Sequence, residues 1–168
     1  MVAHSRFVEP VPELRRRLAA PLSVMAGSLL AVIPLIATFP VLPPFGLMLL
    51  LAWRVRRHDA LPIWSPLLLG LFDDLVGGQP LGSAVVLWTF CFLSIDLIER
   101  RLAFRDFWQD WLVAAGGIAT CLILGRLIAS PLAAHVDTAV LMQIAAAILL
   151  FPVAVSIVGR LDSRYEPA

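Results

Sequence analysis

The sequence predicts an all-α protein, a polytopic integral membrane bundle of six transmembrane helices, and three observations predict it. Apolar residues make up 60% of the 168 positions and charged ones only 15%, against about 45–50% apolar in soluble domains, and the mean hydropathy is +0.90. The apolar residues gather into six runs with short polar gaps between them. The basic residues, all of them arginine, stand in every second gap.

The arginines form four clusters: Arg6 with Arg15, Arg16 and Arg17; Arg54, Arg56 and Arg57; Arg100, Arg101 and Arg105; and Arg160 with Arg164. The alternate gaps, 40–43, 77–80 and 130–137, carry none, and Arg126 alone falls outside the pattern. Short cytoplasmic loops retain Lys and Arg while translocated ones do not. Six spans with every cluster on one side therefore place both termini in the cytoplasm. Six spans use nearly the whole chain, so the reading is one membrane domain over 1–168: a cytoplasmic tail 1–20, a bundle 21–159 and a cytoplasmic tail 160–168. The arginine-rich start runs into apolar sequence without a small-residue cleavage site, which predicts a retained signal anchor.

The first run, 21–39, opens on Pro21, where a missing N–H costs nothing at a helix start, and Pro34 should kink it. Ser23, Gly27 and Ala31 recur every four residues on one face, the small-residue stripe by which helices approach closely in lipid. The second run, 41–53, reaches only about 20 Å against a hydrocarbon core of about 30 Å. It must thin the bilayer, borrow Arg54 to Arg57 as snorkelling flanks, or re-enter; re-entry would export those arginines, so crossing is preferred. The third run, 61–76, meets the fourth, 81–98, through Gly77, Gly78, Gln79 and Pro80, a tight hairpin. The fifth and sixth runs are 108–129 and 138–159. Trp53, Trp64, Trp108 and Trp111 fall at inner ends of these runs, where indoles favour the interface, and Trp88 sits inside a span.

Asp73 and Asp74 lie about 18 Å along the third run, and a carboxylate at that depth needs protein, water or a partner. Adjacent residues diverge by about 100° on a helix, so one acid should point inward and one toward the outer interface. Arg126 and Gln143 fall at similar depth, and the expectation is one polar cluster of Asp73 or Asp74 with Arg126 and Gln143; the plainer alternative has Arg126 snorkelling to headgroups. Asp96 and Glu99 are expected to meet Arg100, Arg101 or the loop arginines as ordinary interfacial pairs. Cys91 and Cys121 lie on different runs without metal spacing and read as small buried residues. His4, His58 and His135 are scattered, so no metal or cofactor is expected. No catalytic motif is present, and the reading is not an enzyme. A net charge of +1 gives no support to nucleic-acid binding.

The string GLFDDLVGGQPLG over residues 70–82 resembles the signature of the rod shape-determining protein MreD family, roughly G-L-L-x-D-x-x-x-G-x-P-L-G, with Phe72 in place of a leucine. The length, inward termini, proline-rich second run and arginine-flanked fourth run are similar to that family as well. The resemblance implies a non-enzymatic scaffold of the cell-wall elongation machinery in the bacterial inner membrane, maintaining rod shape. It implies MreC as partner and, indirectly, MreB, RodA and a penicillin-binding transpeptidase. Gly70, Asp74, Gly78, Pro80 and Gly82 would be motif positions, on a hairpin where a partner's transmembrane segment docks. The family's layout in turn resembles the substrate-binding S-component fold of energy-coupling vitamin transporters, which supplies the alternative function. Against that alternative, the exported gaps offer few aromatic or hydrogen-bonding residues to close a ligand pocket. A channel or proton carrier would need a polar track through both halves of the bilayer.

Overall fold

The computed structural model describes residues 11–31, 42–57, 59–78, 80–101, 107–129 and 138–163. Among them are six helices and no strand: α1 (Val11–Leu30), α2 (Phe45–Arg56), α3 (Ser65–Gly77), α4 (Ser83–Arg101), α5 (Phe107–Ala129) and α6 (Thr138–Ser163). The kink expected at Pro34 lies outside the described residues.

Helix α2 is the axis of the bundle. Its 12 residues are apolar on every side until the arginines at its end, the pattern of a helix with no solvent-facing stripe. Gly46, Leu47, Met48, Leu50, Leu51, Ala52, Trp53 and Arg54 are all buried. The other five helices follow one another around it as α1, α3, α4, α5 and α6, and α6 closes lightly against α1. Val24, Phe92, Ile95, Ile118, Phe151 and Val158 of that ring share one buried cluster with the leucines of α2.

The ring helices face outward with large apolar side chains. Leu22 on α1, Leu75 on α3, Phe90 on α4, Leu112 on α5 and Leu149 on α6 are each more than half exposed, and no residue of α2 is among the exposed large hydrophobics. Continuous apolar surface of this kind marks contact with a partner or a membrane. The stretch Phe107–Ile128 of α5 and the whole of α6 are long and apolar enough to cross a membrane.

Two expectations are corrected here. Helix α1 begins at Val11, ten residues before Pro21, which lies inside it. Leu14, Arg15, Arg16, Arg17, Leu18, Ala19 and Ala20 are strong helix formers, and Ala20 and Val24, buried on either side of the proline, hold the helix through the missing hydrogen bond. The short second run is enclosed by the other helices. At about 18 Å its circumference is covered by protein, and Arg54 is 6% exposed. Trp53 is not an interfacial indole: it is 2% exposed and donates through Nε1 to Ser23 Oγ at 2.7 Å. Trp64 and Trp108 are exposed at helix ends, and Trp111 is half-buried.

Prolines and small residues set the local packing. Pro152 lies inside α6 and has no N–H for the carbonyl of Ile148; Trp111 Nε1 on α5 donates to that oxygen at 3.2 Å. Gly27 meets α2 so closely that a Cβ there would stand 3.1 Å from the Gly46 nitrogen and 2.9 Å from Leu49 Cδ1. Ser23 and Gly27 thus face α2, whereas Ala31 lies just beyond α1 and is exposed.

Candidate functional site at the helix hairpin

The α3–α4 hairpin is built around one carboxylate. Helix α3 ends on Gly78 in the left-handed region at φ 64°, where glycine carries no Cβ penalty. Gly82, at φ 96°, turns the chain into α4. The first N–H groups of a helix have no intrahelical acceptor, and here Asp74 supplies one from eight or more residues upstream. Its Oδ2 accepts from the Gly82 N–H at 2.8 Å and from the Val85 N–H at 3.4 Å. Its Oδ1 accepts from Ser83 Oγ and from the Ala84 N–H, both at 2.9 Å. Asp74 is 1% exposed. Four donors and the positive end of the α4 dipole stabilise the buried carboxylate, with no cationic partner among the described residues.

Gly70, one turn before Asp74 on α3, is the contact that makes this reach possible. A Cβ there would stand 2.9 Å from the Ala84 carbonyl carbon and oxygen and from Val85 Cα, so only glycine lets the backbones cross at that distance. Pro80 contributes its carbonyl to the Ser83 N–H at 3.1 Å. Gly70, Asp74, Gly78, Pro80 and Gly82 therefore act together in one hairpin, and Leu71, Leu75 and Leu81 are exposed along it.

Asp73 does not turn to the outer interface as one acid of the pair was expected to. It is half-buried, and its Oδ1 lies 3.4 Å from where a Cβ on Gly46 would sit, a point also crowded by Ser28 Oγ and the Trp88 ring. Gly46 is in the first turn of α2, whose N-cap Pro44 has no side-chain cap. Asp74 thus binds the N-terminus of α4, while Asp73 lies beside the first turn of α2.

Two members of the expected polar cluster bond elsewhere. Gln143 on α6 donates through Nε2 to the Leu42 carbonyl at 2.6 Å, in the extended lead-in to α2, and Asp74 is satisfied by α4. Arg126 lies half-buried in the last turn of α5.

At the opposite end of α2, Arg54 is ion-paired with Asp96 and reaches Glu99 Oε2 at 3.4 Å, with its guanidinium 5.0 Å from the Phe92 ring centre. Arg57 pairs with Asp162 of α6 at 2.8 Å. Asp96 and Glu99 do meet a loop-cluster arginine, but inside the protein. The burial of Arg54 and the closeness of Gly46 to Ser28 and Trp88 were missed by sequence reasoning. The i, i+3 spacing of Asp96 and Glu99 was the available signal for the first, since it puts both acids on one helix face.

Comparison with protein-family models, with curated proteins and with solved structures finds nothing that matches this chain.

Proposed function

We propose that this chain is a non-enzymatic, six-span scaffold of the bacterial inner membrane, MreD-like, with both termini cytoplasmic. In this reading it holds MreC, and through it MreB, RodA and a penicillin-binding transpeptidase, for lateral cell-wall synthesis. The observation that carries it is the hairpin: all five positions of the resembling motif have a geometric task in one turn organised by Asp74. Such a turn presents a fixed face, with Leu71, Leu75 and Leu81 outward, to a partner's membrane segment. The apolar rim on all five ring helices supports embedding of the whole bundle. The buried Arg54 pair and the half-buried Arg57 pair lie at one end of α2 and the hairpin acids near the other, an arrangement that supports a crossing segment under the charge rule.

Depletion in a rod-shaped host tests the reading. Rounded cells that regain rod shape with the intact chain, but not with Asp74→Ala, support the scaffold. Normal shape with a vitamin-dependent growth defect would replace it with the S-component-like transporter subunit. Labelling of single cysteines introduced after Trp53 and after Gly77 in intact cells reads the topology, with reactivity from outside expected only after Gly77.

A further inference from the structure

We propose that Cys91 and Cys121 form a two-thiol oxidation site, at which an uncharged two-electron oxidant of the quinone or azo class closes a disulfide tying α4 to α5. The two cysteines, distant in sequence, interlock across the antiparallel α4–α5 contact. Cys91 Sγ stands 2.6 Å from where a Cβ on Gly117 would lie, so glycine at 117 lets the thiol reach into α5. One turn along α5, Cys121 Sγ donates to the Leu87 carbonyl at 3.5 Å, one turn back along α4. The two thiols line one and the same groove, and both are free. A disulfide needs Cα atoms about 4.4–6.8 Å apart, a separation that close packing over glycine favours.

An oxidant has a way in. A groove of about 290 Å³ runs between α4 and α5 and is lined by both cysteines together with Phe90, Gly116 and Thr120. Phe90 is 60% exposed and the space over Gly116 is open, so the groove opens to the outer face of the bundle. Its volume is near the lower end for small-molecule sites, about 300 Å³. Thr120 is already committed to the Gly116 carbonyl of its own helix at 2.8 Å.

The lining also selects the chemistry. It contains no charged side chain, so a monovalent soft metal held by two thiolates would leave a net negative charge in an apolar groove, which is costly. A disulfide is neutral. In the step, both S–H bonds break and one S–S bond forms; two electrons and two protons pass to the oxidant, which leaves as the hydroquinone or hydrazine.

The test uses the full chain in detergent micelles, treated with the azo compound diamide at a concentration that oxidises the same chain after unfolding in SDS. The expected result is a monomer lighter by two hydrogen atoms, loss of both alkylatable thiols, a linked Cys91–Cys121 peptide, and reversal by dithiothreitol. Cys91→Ser and Cys121→Ser should each abolish the mass change. If both thiols of the folded chain stay alkylatable while the unfolded chain is converted, or if the product is a disulfide-linked dimer, the proposal is overturned.

Discussion

Trp111 on α5 donates its indole N–H to the carbonyl of Ile148 on α6, the oxygen that Pro152 leaves without a helical donor. An interhelical bond thus repairs a proline break and fixes α5 against α6 in the same contact. Trp111→Phe should cost about 1 kcal/mol of stability, the usual net value of a hydrogen bond. In a Pro152→Ala background the restored helical N–H supplies the carbonyl, so the same change should cost less. Thermal unfolding of the four proteins in one detergent measures the coupling, and additive effects would exclude it.

Asp74→Ala should be the most damaging substitution in the hairpin. It strands the Gly82 and Ala84 N–H groups and the Ser83 hydroxyl, and each buried orphan costs about 1–3 kcal/mol. Asp74→Asn keeps one acceptor but brings two N–H donors toward donors, so it should fall between wild type and alanine. Fraction folded against SDS concentration reads the order.

Gly46→Ala should be destabilising because the methyl group would sit on Ser28 Oγ and 2.9 Å from the Trp88 ring. Overpacking of this kind costs about 1–3 kcal/mol. Removing the hydroxyl with Ser28→Ala should return part of that loss. A double-mutant cycle by thermal unfolding is the measurement, and no recovery would mean that Trp88 alone sets the limit.

Arg54→Ala should cost about 3–5 kcal/mol, the range for removing one partner of a buried ion pair. The expected loss follows from Asp96 and Glu99, whose side chains are 20% and 7% exposed, being left without this cation. Added salt should barely restore stability, because buried charges are poorly screened. A restoration of most of the loss at high ionic strength would show that the site is wet.

The positions of five of the six described helices were legible in the sequence. Apolar runs bounded by polar gaps mark where a chain continues as a helix, and α2 to α6 fall on those runs, whereas α1 starts ten residues before its run and carries Arg15, Arg16, Arg17 and Pro21 inside it. The hairpin was legible from its glycines, since Gly78 adopts the positive φ expected of the turn, although Gly77 stays helical and the second positive φ falls at Gly82. Partner choice was not. Depth along a helix placed Asp74, Arg126 and Gln143 at one level, but depth does not fix the angle around the axis. That angle sends Asp74 to its own hairpin and Gln143 to the Leu42 carbonyl.

By itself, then, the sequence determined the helical class of the described residues, five of their six segments and the turn between α3 and α4, because hydropathy and backbone preference act locally. Only the tertiary structure decided that the shortest helix lies at the centre, that Trp53 and Arg54 are interior, and that Cys91 and Cys121 line one groove. Each of these depends on which faces of distant helices pack together, and close packing is settled by the shapes of all the helices at once.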